Sequence, residues 1–150
     1  LEQGPADQWN SQVSQWFDDC VEGEIKLLCV YKGLQARQKN PDLFLNGKYI
    51  PLTVQGRYKN NVLGFARTYR NHAAIIVGSR FLSEVGAEKG KKPVDKVWGE
   101  TQLVIPDEVK PDRFQAALGN FTVEVEKIGS KRIIPLQHLF AYMPVGLFLT

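Results

Sequence analysis

The sequence contains few of the residues on which most metal and nucleophile sites depend. Its 150 residues include only two cysteines and two histidines. Cys20 and Cys29 are separated by eight residues, without the paired spacing and nearby histidines that a zinc site requires. The sequence therefore predicts two buried, reduced thiols rather than a metal site.

Long apolar runs are also missing. None approaches the roughly 20 residues of a membrane span, so we expect no membrane partner. Hydrophobic residues at 43% and charged residues at 23% are ordinary for a globular protein of one domain. The start, Leu1-Glu2-Gln3-Gly4-Pro5, has neither an initiator methionine nor the features of a signal peptide, and we interpret it as a cut inside a longer protein.

Basic charge is low and scattered. The net charge is +3, and the one basic run, Lys89-Gly90-Lys91-Lys92, lies between Gly86 and Pro93 with no aromatic residues on which bases could stack. We interpret this run as a solvated loop and expect no nucleic-acid partner. A β-barrel that binds nucleic acid would need a basic face, and salt-dependent binding of single-stranded oligonucleotides would reveal it.

The first forty residues have the periodicity of helices. The first predicted helix spans Asp7 to Cys20 and carries large apolar side chains at helical spacing, namely Trp9, Val13, Trp16 and Phe17. Such residues are typical of a packed helix face.

The second predicted helix is apolar on nearly all sides. Seven of its ten central residues are apolar, namely Ile25, Leu27, Leu28, Cys29, Val30, Tyr31 and Leu34. An ordinary surface helix shows a single apolar stripe, so this helix needs neighbours on more than one side. Gly33 costs about 1 kcal/mol relative to alanine in mid-helix, which indicates a close approach by another element. The basic tail from Gln35 to Lys39 suits a helix C-terminus, and Pro41 is expected to stop the helix.

Beyond residue 43 the sequence has the period of two that is typical of strands. One strand face carries Ile50, Leu52 and Val54, and the next carries Leu63, Phe65, Arg67 and Tyr69. Turns are predicted at Lys59-Asn60-Asn61, at Arg70-Asn71-His72 and at Gly129-Ser130. Further strands are predicted at 73–78, 97–105, 121–126, 132–135 and 145–149, with a short helix from Leu136 to Tyr142.

Because few helices separate these strands, the sheet is predicted to be antiparallel. The predicted fold class is mainly β with N-terminal helices (α+β). Residues 1–43 form a helical segment, and residues 44–150 form an antiparallel β-sandwich or a partly open barrel.

Candidate catalytic groups are few and isolated. His72 and His138 have no cysteine, serine or carboxylate at a spacing that fixes a shared site. Glu124 and Glu126, in VEVE, are predicted to point to the same side of one strand, but a solvent face is the commoner arrangement. No GxSxG, HExxH, Walker or GxGxxG motif occurs. The sequence thus predicts no catalytic, cofactor-binding or metal-binding residue in this chain.

Four segments resemble, in this order, the C-terminal region of maltooligosyl trehalose synthases, which belong to the alpha-amylase superfamily. They are GEIKLLCVYKGLQARQKNPDLFLNGKYIPLTVQG, NNVLGFARTY, VWGETQLVIP and PLQHLFAYMPVGLFL, and they cover most of Glu22 to Leu149. Within the first, GLQARQKNPDLF is similar to the end of the last barrel helix in that superfamily, just before a C-terminal antiparallel β domain.

The resemblance implies that residues 1–43 are the last helices of a (β/α)8 barrel whose remainder lies upstream of Leu1. The parent would be a glucan glucosylmutase, an intramolecular transferase that converts the reducing-end alpha-1,4 linkage of a maltooligosaccharide into an alpha,alpha-1,1 trehalosyl end. Family members are expected to use a retaining mechanism with an aspartate nucleophile and a glutamate acid/base on the barrel. None of these carboxylates falls in this chain. The implied partners are the upstream barrel and the maltooligosaccharide, with no cofactor and a cytoplasmic location.

A free glucan-binding β-sandwich module is the alternative function. It would need two or more exposed, roughly coplanar aromatic rings, for which Trp98, Tyr49 and Tyr58 are the candidates. Affinity for maltoheptaose would separate it from a structural domain.

The apolar helix from Ile25 to Leu34 also predicts self-association of the isolated chain. The β domain can cover only one flank of this helix, so a missing barrel would leave the other flank open. The N-terminal helix could fold back over the gap, or a second copy could cover it. We expect the second copy to contribute, which predicts a homodimer.

Overall fold

The computed structural model describes residues 5–19, 23–85 and 92–150. In this part of the chain the helices are α1 (Ala6–Asp18), α2 (Glu24–Lys39), α3 (Pro41–Leu45) and α4 (Leu136–Leu139). The strands are β1 (Lys48–Gln55), β2 (Val62–Tyr69), β3 (His72–Ser79), β4 (Gln102–Val104), β5 (Arg113–Ala116), β6 (Thr122–Glu124), β7 (Glu126–Ile128), β8 (Lys131–Pro135) and β9 (Val145–Leu149). Cys20 and most of the basic run Lys89 to Lys92 lie outside the described residues.

The helical segment follows the predicted pattern until Pro41. Both predicted long helices are present as α1 and α2, and α2 ends at Lys39. Pro41 then begins α3, since a proline at the first helical position needs no N–H partner and already has a helical φ. The first strand therefore starts at Lys48, after a further helical turn that the sequence pattern does not predict.

All nine strands form one antiparallel sheet in the order β6-β5-β9-β3-β2-β1-β4-β8-β7. The first half of β1 pairs with β2 and its second half pairs with β4, which bends the sheet at that strand. The strands at the two ends of the order, β6 and β7, are separated only by Val125. The sheet therefore curls until its edges approach, and the predicted antiparallel β domain is confirmed as a nearly closed barrel.

The hairpin between β2 and β3 is as predicted. Tyr69 pairs with His72 across a two-residue turn, and Arg70 takes a φ of 54°, which such turns require. His72 is the first residue of β3 rather than a turn residue.

Two strand predictions need correction, and a third strand is missing from the prediction. The segment 97–105 is a strand only at β4, because Asp95–Trp98 forms a 3-10 turn and Gly99 then reverses the chain with a φ of 54°. The segment 121–126 is split into β6 and β7, since the N–H of Val125 donates to the carbonyl of Asp112 at 2.7 Å. The sequence pattern does not predict β5, because a four-residue strand is too short for its alternation to be distinctive.

The apolar residues form two cores on opposite sides of the sheet. One fills the barrel and contains Trp98, Phe114, Phe140 and Phe148. The other lies between the outer sheet face and the helices, and contains Trp9, Val13, Leu28, Leu43 and Leu147. Leu147 and Phe148 are neighbours on β9 and belong to different cores, so this strand is covered on both faces.

Candidate functional site

The two histidines are both surface residues. His72 is exposed beside an open cleft of about 400 Å³ that Lys39 and Asp42 also line. His138 lies on α4, where its Nδ1 is 3.6 Å from Oε1 of Glu126, and both side chains are about half exposed. Both imidazoles are open to solvent, which is the environment of a surface histidine.

The prediction that Glu124 and Glu126 share one side of a single strand is wrong. Glu124 ends β6 and Glu126 begins β7, at opposite ends of the strand order. Glu124 lies 3.9 Å from the guanidinium of Arg113, with both side chains about 70% exposed. Each carboxylate has its own basic neighbour in solvent, so the two do not form an acid and nucleophile pair.

The aromatic residues proposed as a glucan platform do not form one. Trp98 is fully buried and Tyr58 is nearly so, and their rings meet edge to face at 82° inside the barrel. Tyr49 is 55% exposed and rests on Phe65, with ring centroids 5.0 Å apart. Trp98 and Tyr58, two of the three candidates for the alternative function, therefore cannot form an exposed platform, because both belong to the barrel core.

Neither a metal-binding group nor a membrane-spanning helix is found among the described residues. Across residues 5–19, 23–85 and 92–150, no three of the histidine, cysteine, aspartate and glutamate side chains form a group that could hold a metal ion. No helix within the same ranges is long and apolar enough to cross a membrane.

The most unusual surface of the molecule is one side of α2. Four large apolar side chains point to solvent there at positions i, i+3, i+4 and i+7, with exposed fractions of 38–65%; they are Leu27, Val30, Tyr31 and Leu34. We call these four residues the α2 face. Leu28 and Ala36, on the opposite side of the helix, are buried against the sheet and α1. The sequence prediction that the β domain covers only one flank of this helix is confirmed.

A groove of about 390 Å³ runs along α2 next to the α2 face. Its helical wall includes Cys29, Gly33 and Arg37, which follow one another at intervals of four residues. Its floor is formed by side chains of three neighbouring strands, namely Phe65, Ile76 and Leu147. We call this cleft the Gly33 groove. Its floor combines the hairpin of β2 and β3 with β9, which is distant in sequence, so only its helical wall could be anticipated from the sequence.

Arg67 fixes one end of this groove. Its guanidinium donates to the carbonyls of Leu43 at 3.2 Å and Gly47 at 2.8 Å. These contacts hold the end of α3 and the following turn against β2 at this end of the groove.

The first helix is anchored on the side of α2 away from the α2 face. The side-chain amide of Asn10, which is buried, both donates to the carbonyl and accepts from the N–H of Asn120, at 3.3 and 2.8 Å. The ammonium of Lys32 lies 5.4 Å from the ring centre of Trp9, and burial is the main cause that lowers the pKa of Lys32. Thus α1 packs against the buried half of α2 and leaves Leu27, Val30 and Leu34 exposed.

Cys29 is half buried, and this burial raises the pKa of its thiol. A raised thiol pKa leaves little thiolate at neutral pH, so we expect Cys29 to react slowly in the native chain. We also predict that Cys20 and Cys29 are not joined by a disulfide. Titration with a thiol reagent after denaturation, without reductant, should count two thiols, whereas a count of zero would contradict the prediction.

No protein-family model matches the chain, and no curated protein sequence matches it. Among solved structures, the chain is similar to a mutant of maltooligosyltrehalose synthase from Arthrobacter ramosus, with 22% sequence identity and a TM-score of 0.62. The similarity covers 98% of this chain and 17% of that chain. The helices and the β domain together therefore have the fold of one part of that larger protein.

Proposed function

We propose that this chain is the C-terminal part of a maltooligosyl trehalose synthase, a (1->4)-alpha-D-glucan 1-alpha-D-glucosylmutase. The observation that carries the proposal is the structural similarity over nearly the whole chain, helices included. The four ordered segments that resemble this family give independent support, because they run through α2, β1, β2, β4 and β9.

In this proposal the parent enzyme rearranges the reducing end of a maltooligosaccharide from an alpha-1,4 to an alpha,alpha-1,1 linkage. The carboxylates for that reaction lie on the catalytic barrel, outside these residues. Residues 1–43 are the last helices of the barrel, and the β domain is structural. Since the glucan substrate is intracellular in this proposal, the enzyme works in the cytoplasm.

The exposed carboxylates of this chain are consistent with a structural role. Glycoside chemistry of the retaining type uses two carboxyl groups about 5–5.5 Å apart, one with a raised pKa. Glu124 and Glu126 are each paired with a separate exposed base instead. A glucan-binding module has less support, since two of its three candidate aromatic residues are buried.

Incubation of the full-length protein with maltoheptaose tests the proposal. The expected result is a loss of reducing ends without net hydrolysis, together with an anomeric NMR signal from an alpha,alpha-1,1 linkage. Residues 1–150 alone are expected neither to isomerise nor to hydrolyse the sugar, and to show no affinity for it. A rise in reducing ends with the full-length protein would indicate a hydrolase and contradict the proposal. Release of trehalosyl ends or glucose by the isolated chain would contradict the assignment of catalysis to the barrel.

A further inference from the structure

A cleft between α2 and β5 is lined by basic and amide side chains and by no acidic one. It has a volume of about 340 Å³ and extends to the turn that follows β5. Its polar lining residues are Lys32, Gln35, Lys39, Gln115 and Asn120. We call this cleft the Lys32 cleft. Its volume lies within the range of sites that take small ligands.

The helical repeat places two lysines of this cleft on one side of α2. Lys32 and Lys39 are seven residues apart, which is close to two helical turns and about 10 Å along the helix axis. Between them lies Ala36, which is buried and forms a floor of small side chains together with Ala116 and Ala117 across the cleft. The space above this floor is therefore open to a ligand that both lysine side chains reach.

The positive charges of these two lysines are not balanced by a carboxylate of the described residues. The ion pairs found in this part of the chain involve neither Lys32 nor Lys39. Burial is the main cause that lowers the pKa of Lys32, and the positive charge of Lys39 lowers it further. The Trp9 ring, whose centre is 5.4 Å from the Lys32 ammonium, offers a cation–π contact but no negative charge. An anion between the two ammonium groups would remove their repulsion.

The opposite wall of the cleft carries two amide side chains on well-anchored elements. Gln115 belongs to β5, which is paired on both sides, with β6 and with β9. Asn120 is fixed through its main chain, since its N–H and its carbonyl are both bonded to the side chain of Asn10, at 2.8 and 3.3 Å. Among the described residues, no hydrogen bond uses the side-chain amide of Gln115 or of Asn120. Their N–H groups are therefore available to the oxygens of an anion.

We propose that the Lys32 cleft binds a phosphate group, either as the free ion or as the monoester of a small sugar. The ammonium groups of Lys32 and Lys39 hold the phosphate from α2, and the amides of Gln115 and Asn120 donate to it from the opposite wall. A phosphate has enough acceptor oxygens to contact both walls at once, and its charge-assisted hydrogen bonds to lysine are roughly twice as strong as neutral ones. This proposal does not depend on the proposed function.

Competitive acetylation of the full-length protein tests the site. Its lysines are labelled with a limiting amount of acetic anhydride in sodium chloride, inorganic phosphate or glucose 6-phosphate at equal ionic strength, and mass spectrometry measures the labelling of each lysine. At a phosphate concentration ten times the dissociation constant, Lys32 and Lys39 should be labelled about tenfold less than in chloride. Lys48, whose side chain is 66% exposed, is the internal control and should be labelled equally in all three salts. Equal protection of Lys32 and Lys48 would overturn the proposal.

Calorimetric titration of three variants with inorganic phosphate gives a second test. Lys32→Gln and Lys39→Gln should each weaken binding by about tenfold or more, since each removes one charged donor, whereas Lys48→Gln should leave the affinity unchanged. Phosphate binding that neither Lys32→Gln nor Lys39→Gln weakens would overturn the proposal.

The two phosphate compounds distinguish the possible sources of the ligand. Tighter binding of glucose 6-phosphate than of inorganic phosphate would support a site for a sugar phosphate, and equal affinities would support a site that recognises the phosphate group alone. Glucosylmutase activity is a separate readout. A full-length protein that binds phosphate in this cleft but has no such activity would refute the proposed function and leave the phosphate site in place.

Discussion

Replacing Trp98 with alanine is expected to lower the free energy of unfolding by about 3–5 kcal/mol. The Trp98 ring is completely buried in the barrel, where it contacts Phe140 at 4.9 Å and Tyr58 at 5.8 Å between ring centroids. Its Nε1–H donates to the carbonyl of Pro93 at 2.8 Å, which ties the turn before β4 to the core. Truncation would create a large cavity and also remove this hydrogen bond.

Urea unfolding at 25 °C measures the effect, with Tyr49→Ala as the matched control. Tyr49 is also aromatic but is 55% exposed, so its loss should cost only about 0.5 kcal/mol. The same two variants also test the glucan-binding alternative. If Tyr49 and Trp98 formed a binding platform, their replacement would lower the affinity for the glucan. If the free energy of unfolding of Trp98→Ala lay within about 1 kcal/mol of that of the unsubstituted chain, the ring would not be part of the core.

Replacing Arg132 with alanine is expected to lower the free energy of unfolding by about 2–4 kcal/mol. The connection between β4 and β5 has no regular secondary structure over residues 105–112, and Arg132 holds it in place. Its guanidinium donates to five acceptors on this connection: the carbonyls of Pro106, Val109, Lys110 and Pro111 at 2.6–3.3 Å, and Oδ1 of Asp112 at 2.6 Å. Only 14% of the Arg132 side chain is exposed, so most of these bonds are sheltered from water.

Two variants separate the contribution of the guanidinium hydrogen bonds to stability from that of the positive charge. Arg132→Lys keeps the charge but cannot span five acceptors with one ammonium, so it should lose most of the same stability. Arg113→Ala removes an arginine whose ion pair with Glu124 is about 70% exposed, and should change stability by less than about 1 kcal/mol. Denaturant midpoints of the three variants give the comparison. Equal effects of Arg132→Ala and Arg113→Ala would contradict the role given to Arg132.

Acid should reduce the difference in free energy of unfolding between the unsubstituted chain and Arg132→Ala. The hydrogen bond from Arg132 is the main cause that holds the pKa of Asp112 below its ordinary value, with Lys127 contributing a smaller Coulomb effect. A carboxylate with a lowered pKa in the folded state contributes stability above the ordinary pKa and loses it as the pH falls through the folded pKa. The contribution of this pair is therefore present at neutral pH and disappears in strong acid.

The sequence by itself determined those helices, strands and turns that are marked by a pattern within a short stretch of the chain. The all-round apolar pattern of α2 predicted both a buried side and an uncovered one, because its apolar residues are spread around most of the helix circumference and one sheet can cover only part of it. The two-residue hairpin at Arg70 and the strand β9 follow in the same way from turn chemistry and short-range alternation. The absence of a catalytic pair was a prediction of the same kind, drawn from spacing alone.

Only the tertiary structure decided which face of each strand enters the barrel and which residues from distant strands meet. By its sequence pattern, either face of β2 could point into the barrel. Phe65 lies on the outer face because Val62 and Ala66 fill the barrel interior. Trp98 looked like a possible surface platform and is instead core, since β4 pairs with both β1 and β8 and closes the sheet around it. The five acceptors of Arg132 lie 20 to 26 residues before it in the chain, and the floor of the Gly33 groove combines the hairpin of β2 and β3 with the distant strand β9. Such contacts depend on the order of strands in the sheet, which is set by the packing of the whole barrel and leaves no periodic signal in any one segment.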